Sequence, residues 1–235
     1  FIFYNCVRLN VTTHYFKYFI GDQDVPWLAA IINFFGGETS STFSWESLVS
    51  IFNTLGQLVS LVGVLLLPWF SKMLGRKRAT IVLMVASFIC TGSFFFFSPD
   101  DIFLILFFQF IGSISGGPIS ALLWVMYADT ADYSEWKNGR RATGLVFSAS
   151  IMSNKLGWAI GGMISMLILQ ATGFVANQAQ NADTLFGMKA MMSVIPVAVG
   201  IFALGLLVFG YKLDEKTMDG IQADLEERRK LKQQA

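Results

Sequence analysis

The stretch IFLILFFQFIGSISGGPISALLWVM, residues 102–126, contains no charged side chain. A helix of about 20 mostly apolar residues crosses a bilayer core of about 30 Å, so this stretch is long enough to span a membrane. The whole chain of 235 residues is 54% hydrophobic and only 14% charged, whereas soluble domains carry about 25% charged residues. The sequence therefore predicts an all-α integral membrane protein.

Five such stretches and one weaker candidate predict a six-transmembrane-helix bundle over residues 1–211 and a polar cytoplasmic tail over 212–235. The predicted spans are 1–20, 47–70, 79–97, 101–128, 142–169 and 186–211. The first is the weaker candidate because it contains Asn5, Arg8, Asn10, His14 and Lys17. It can cross a membrane only if these groups face protein or a water-filled cavity.

The distribution of basic residues predicts the orientation, because positive charge near span ends is retained on the cytoplasmic side. Basic clusters lie at 76–78, at 137–141 and in the tail, and the intervening connections contain no Lys or Arg. This alternation indicates an even number of crossings with the C-terminus in the cytoplasm. The chain begins at Phe1 without a signal-peptide pattern, and we expect this start to be a cut through a longer protein.

Lys155 is the most informative polar residue because it lies about 13 residues into the predicted span 142–169, roughly 20 Å along a helix. A charge at that depth costs at least ~2.5–3.5 kcal/mol, so a functional role is the leading hypothesis and a structurally paired lysine is the alternative. Ser148, seven residues earlier, and Asn154 join it as candidate residues for cation coupling or substrate binding.

Other polar residues are candidates for lining a substrate cavity. Asn10 and His14 lie at helical spacing in the first span, and Asn53 and Gln57 do so in the second. The amides could bind a polyhydroxylated ligand or simply another helix. His14 could couple to protons, with a hydrogen-bonded packing histidine as the alternative.

The triplet Gly116-Gly117-Pro118 predicts a broken or kinked helix at mid-membrane, where transporter sites are often found. A static kink is the alternative. Ser120 and Trp124 follow it and complete the cavity candidates. Trp124 could stack on a sugar face or belong to the aromatic belt at the membrane surface. Two further motifs, Gly112-x-x-x-Gly116 and Gly157-x-x-x-Gly161, predict close helix packing.

The stretch ADTADYSEWKNGRR, residues 128–141, is the densest charged loop between two predicted spans. Acids end one helix and bases begin the next, an order opposite to the preference of helix dipoles. This predicts ion pairs that form in one transport state and break in another, with a solvated loop as the alternative. The candidate gate residues are Asp129, Asp132, Glu135, Arg140 and Arg141.

This loop, followed by Lys155 in the next helix, resembles the glycoside-pentoside-hexuronide:cation symporters, the melibiose permease-like family of the major facilitator superfamily. The similarity matches only the C-terminal half of that family, helices 7 to 12. It implies symport of a sugar or glycoside with a cation, Na⁺ or H⁺, by alternating access. Lys155 would then lie near the cation and sugar sites, and the 129–141 segment would take part in gating.

The resemblance also implies the partners: a small-molecule sugar or glycoside, a coupling cation, the lipid bilayer and an N-terminal six-helix half, which would hold the cation. The location implied is the bacterial inner membrane. The basic loop at 74–78 resembles that of the superfamily, but its expected aspartate is missing, so no gating pair is assigned to it.

The sequence contains no pattern for an enzyme, a cofactor, a metal site in this half or nucleic-acid binding; Cys6 and Cys90 make neither a disulfide framework nor a metal-ligand spacing. Two alternatives to the symporter remain. One is a major facilitator exporter of another solute, and the other is a nontransporting membrane remnant or scaffold.

Overall fold

The computed structural model describes residues 1–34, 37, 39–213 and 215–234 and shows a helical bundle with one short two-stranded hairpin. The elements are α1 (Ile2–His14), continued by a π-helical segment (Tyr15–Ile20), β1 (Gln23–Asp24), α2 (Pro26–Phe34), β2 (Thr42–Phe43), α3 (Trp45–Leu65), α4 (Leu67–Leu74), α5 (Arg76–Ser93), α6 (Ile102–Asn138), α7 (Thr143–Ala171), α8 (Ala182–Met192), α9 (Val194–Gly210) and α10 (Glu215–Gln234). The predicted tail, 212–235, falls partly outside the described residues.

Four helical segments of the described chain are long and apolar enough to cross a membrane: α3, α6, α7 and the consecutive pair α8 and α9. They overlap four of the predicted spans. The predicted spans 1–20 and 79–97 correspond to α1 with its π-helical segment and to α5. These two helices lie within the bundle, since α1 packs on α7 and α9, and α5 packs on α6 and α9.

Helix α6 is longer than predicted, at 37 residues. The prediction that 128–141 is a loop is wrong for residues up to Asn138, because the stretch contains no glycine or proline until Gly139. That glycine has a φ of 69° and ends the helix in the left-handed conformation. The acidic gate candidates therefore lie on a helix.

The sequence predicts a broken or kinked helix at Gly116-Gly117-Pro118. The helix is not broken there, because α6 continues through the triplet; a kink stays a prediction. Pro118 has no N–H for the carbonyl of Ile114, and that carbonyl lies where α3 passes. A Cβ on Gly63 of α3 would meet Ile114 O, and a Cβ on Gly117 would meet Ser60 O. The two glycines therefore let the backbones of α3 and α6 approach closely, and the proline fits this contact.

The predicted packing motifs divide in two. Gly157 and Gly161 face α1, where an added Cβ would lie 3.0 Å from Ile2 Cγ2 and 2.9 Å from Cys6 Cβ, respectively. Gly112 faces Cys90 of α5, but a Cβ on Gly116 would meet nothing within 4 Å. The Gly112-x-x-x-Gly116 motif therefore contributes one close contact to the packing, at Gly112, and not two.

Candidate functional site

A cavity of about 540 Å³ lies between α1, α3 and α6. Its polar lining includes amides, hydroxyls and one guanidinium: Tyr4, Asn5, Arg8, Thr12, Asn53, Gln57, Ser60, Ser87, Gln109, Ser113 and Ser120. Among the described residues that line it there is no Asp or Glu. The cavity can therefore offer many hydrogen bonds to a neutral or acidic ligand, and it has a net positive lining.

Helical periodicity explains why two of these elements present polar groups to the cavity. On α3, Asn53, Gln57 and Ser60 are spaced i, i+4 and i+7, which places them on one face. On α6, Gln109 and Ser113 are spaced i and i+4. The structure thus brings the predicted cavity candidates Asn53, Gln57 and Ser120 to the same cavity.

Arg8 is the charged residue among the described lining residues, and the sequence named it only as a polar group of the weak first span, not as a cavity candidate. Its Nη2 donates to Gln109 Oε1 at 3.4 Å, and its guanidinium carbon lies 5.2 Å from the centre of the Phe94 ring. Its Nε is buried and donates to no atom that the structure describes. A charge well inside a weak span was the signal that could have identified it.

Asn10 and His14 do not line this cavity. Asn10 Nδ2 donates to the sulfur of Cys6 at 3.3 Å, and the His14 ring packs on Tyr18 and Phe174. Arg8 and Asn10 differ by about 200° around a helix at 3.6 residues per turn, so they point to opposite sides. The predicted cavity candidates Asn10 and His14 therefore lie off the cavity, and the side of α1 that carries Arg8 lines it.

Trp124 also lies outside this cavity. Its ring stacks on Phe147 of α7 with the ring centres 5.9 Å apart, and the side chain is 41% exposed. Within the cavity, Trp158 of α7 supplies an aromatic surface instead.

Lys155 lies on α7 in an open groove that it shares with Ser148, as predicted from their spacing. The lysine is exposed and makes no hydrogen bond or ion pair with any residue in the described ranges. Asn154 lies on another face and lines a separate cavity of about 580 Å³ with Tyr127 and Tyr211. The predicted group of three is therefore divided, because consecutive helix residues point about 100° apart.

The gate candidates form ion pairs at one end of the bundle. Arg141 Nη2 lies 2.8 Å from Asp132 Oδ1, at ion-pair distance but without hydrogen-bond alignment, and Arg141 Nε lies 3.8 Å from Glu135 Oε2. The Arg140 side chain joins no ion pair within the part of the chain that the structure describes. Arg141 therefore bridges the end of α6 to the start of α7.

Asp129 pairs with a different partner from the predicted ones. Its Oδ1 accepts from Arg76 Nη1 at 2.5 Å, and its side chain is only 4% exposed. The sequence assigns no gating pair to the basic loop at 74–78, and the structure pairs its Arg76 with Asp129. The tertiary fold thus brings an aspartate of α6 to this loop.

The same end of the bundle is tied together by further contacts. Lys77 Nζ donates to the backbone oxygens of Val208, at 3.2 Å, and Tyr211, which caps the end of α9. Trp136 Nε1 donates to Asp224 Oδ2 of α10 at 2.9 Å. All three predicted basic regions therefore meet at one end of the molecule.

The model of the MFS/sugar transport protein family, where MFS denotes the major facilitator superfamily, matches residues 40–215 of this chain. The chain belongs to this family. This MFS chain is 37% identical over 176 residues to the isoprimeverose transporter of Lactiplantibacillus pentosus, covering 73% of this chain and 36% of that protein.

Two other relatives also match most of this chain. An uncharacterized symporter of Bacillus subtilis, YnaJ, is 31% identical over 186 residues, covering 79% of this chain and 40% of its own. A glucuronide carrier protein homolog of Escherichia coli is 28% identical over 214 residues, covering 88% and 47%. This chain therefore spans less than half the length of these relatives.

The inward-open structure of the xylose transporter XylE from E. coli covers 96% of this chain and 56% of its own at 16% identity, with a TM-score of 0.48. Family membership confirms the predicted resemblance and the integral membrane class. It also agrees with the prediction that the protein is not an enzyme, since these relatives are transporters.

Proposed function

We propose that this chain is the C-terminal, six-crossing half of a secondary active transporter that carries a sugar or glycoside together with Na⁺ or H⁺ across a bacterial inner membrane. The observation that carries the proposal is the cavity between α1, α3 and α6, in a chain of the MFS/sugar transport protein family. Both ends of the chain would lie in the cytoplasm.

The chemistry of the cavity suits a polyhydroxylated ligand. Side-chain amides such as Asn53 and Gln57 donate and accept hydrogen bonds at once, as each sugar hydroxyl does. The Trp158 ring lines the same space and offers an apolar surface on which a sugar face can lie. In alternating access, the two halves of the transporter would rock around this central site.

We propose that Lys155 couples the cation to the solute. A lysine on α7 that has no partner in the described chain can pair with carboxylates of an N-terminal half. Entry of the cation would release the lysine from those carboxylates. The cation and the sugar would then be linked because each binds one conformational state more tightly than the other.

The test is uptake into vesicles that contain the complete protein encoded by the native gene. Radiolabelled sugars and glycosides are offered while Na⁺, Li⁺ and proton gradients are imposed separately. We expect one of the solutes to accumulate against its gradient only when one cation gradient is present. Accumulation that needs no gradient, or no uptake of any solute, would count against symport.

Export of another solute by the same fold is the second candidate. It is favoured by one relative, a putative 2,3-dihydroxypropane-1-sulfonate exporter of E. coli, which is 25% identical over 95% of this chain. Loading the same vesicles with each solute and measuring efflux separates export from uptake. Movement in neither direction would favour a nontransporting scaffold.

A further inference from the structure

Arg8 brings a positive charge to the cavity between α1, α3 and α6, and the role that we assign to it rests on the proposed function. Arg8 lies about 9 Å along α1 from its first residue, within the helical segment that runs to Ile20. The guanidinium remains charged in any protein environment. An arginine at this position therefore brings a fixed positive charge to a low-dielectric region.

The contacts of Arg8 leave its charge without a counterion. Its hydrogen bond goes to the neutral amide oxygen of Gln109 at 3.4 Å, and its Nε donates to no described atom. The ring of Phe94, 5.2 Å away, adds a cation–π contact. Neither contact neutralises the charge, and an ion pair of Arg8 with a carboxylate is not found among the described residues.

The same contacts hold the guanidinium in place. Gln109 is itself confined, because its Nε2 lies so close to Gly56 of α3 that a Cβ there would come within 2.5 Å of it. The guanidinium carbon lies over the Phe94 ring. Arg8 is therefore positioned beside an open volume of about 540 Å³, with N–H groups free to bind an acidic group.

We propose that Arg8 binds an acidic group, a carboxylate or a sulfonate, of the transported solute, so that the transporter prefers acidic sugars to their neutral counterparts. The planar guanidinium matches such groups with two parallel hydrogen bonds. The amides of Asn53 and Gln57 would contact the hydroxyls of the same solute. A carboxylate of the N-terminal half is the competing partner for Arg8.

The experiment uses two probes that differ only in the acidic group, methyl β-D-glucuronide and methyl β-D-glucoside. Binding of each to the complete, detergent-solubilised protein is measured by calorimetry at constant ionic strength. We expect the wild type to bind the glucuronide at least about tenfold more tightly, the effect of one charged hydrogen-bonded pair. Arg8→Gln should abolish that preference, because it should weaken binding of the glucuronide much more than binding of the glucoside.

Two further variants make the result specific. Arg8→Lys keeps the charge but loses the planar fork, and we expect it to retain part of the preference. Lys17→Gln is the matched control: it removes a positive charge from the next part of the same helical segment, where Lys17 Nζ donates to Asn177 Oδ1 outside the cavity. It should leave the preference intact.

Three results would overturn the proposal. The first is that the wild type binds the glucuronide no more tightly than the glucoside, and the second is that Arg8→Gln keeps the preference of the wild type. The third result is an equal loss of affinity for both probes in Arg8→Gln. The last result would assign Arg8 to a carboxylate of the N-terminal half. Binding preference without gradient-driven uptake would instead count against the proposed symport and leave the assignment of Arg8 standing.

Discussion

Lys155 and Arg8 are both positive charges at depth in a bundle, and they differ in their surroundings. Arg8 is half-buried and held by Gln109 and Phe94. Lys155 is exposed in a groove whose other residues are mostly apolar, such as Ile151 and Leu156. A charge in such a groove is costly in a membrane, so the groove is expected to be covered by a partner surface that carries negative charge.

Lys155→Ala should abolish uphill accumulation of solute by the complete transporter. The physical reason is that the proposed pairing of the lysine with carboxylates links cation and solute binding. Coupling free energies of this kind correspond to factors of about 5–150, so we expect accumulation to fall by about tenfold or more. The measurement is steady-state accumulation in vesicles under the cation gradient that drives the wild type.

Exchange of solute without a gradient should survive in Lys155→Ala, because the cavity of Arg8 and Asn53 is not altered. Lys17→Ala, at the end of the first helical segment, is the control and should accumulate solute normally. Normal coupled accumulation in Lys155→Ala would refute the role proposed for this residue.

At the scale of elements, the contact between α3 and α6 shapes the cavity. Gly117 and Gly63 allow the close approach, while the neighbouring Gly116 points into the cavity. The two adjacent glycines of α6 thus have different surroundings, which the sequence Gly116-Gly117 does not reveal. Their substitution gives a matched pair of variants.

Gly117→Ala should destabilise the protein by about 1–3 kcal/mol, because the new methyl group would overlap the backbone of Ser60 and force the helices apart. Gly116→Ala should be neutral or slightly stabilising, since alanine favours helix by about 1 kcal/mol over glycine. The measurement is the thermal unfolding temperature of the complete protein in detergent. Equal unfolding temperatures for the two variants would contradict the close contact at Gly117.

At the scale of the whole molecule, the two ends of the bundle differ in the charged groups that their connections carry. One end holds the Arg76–Asp129 and Arg141–Asp132 pairs and the docked helix α10. The other end holds the β1–β2 hairpin and the connection after α7, where Asn177 meets Lys17 and Tyr18. Positive charge near span ends favours the cytoplasmic side, so the end with α10 should face the cytoplasm.

Reporter fusions to the complete protein test this orientation. Alkaline phosphatase fused after the C-terminus should be inactive and green fluorescent protein should fluoresce there, because the first folds only outside the cytoplasm and the second only inside. Fusions that end at Gln178, between α7 and α8, should show the reverse. Phosphatase activity at the C-terminus would overturn the predicted orientation.

Local sequence determined the membrane class and the position of most helices. Apolar runs of sufficient length, such as 102–126, specify helices in lipid because every backbone group must find its hydrogen bond within the segment. The spacing of Asn53 and Gln57 on one face follows from helix geometry alone. The charged stretch 128–141 predicted ion pairs that form in one transport state and break in another. The Arg141–Asp132 pair is present in this structure, and its breaking in another state stays a prediction.

The tertiary structure alone decided which polar face meets which neighbour. Periodicity places Arg8 and Asn10 on opposite sides of α1, but only the packing of α1 against α3, α6 and α7 assigns one side to the cavity and the other to a helix contact. In the same way, the Arg76–Asp129 pair joins residues on two helices that no local pattern connects. The physical reason is that side-chain direction follows from the helix itself, whereas the partner of a side chain depends on how separate helices pack.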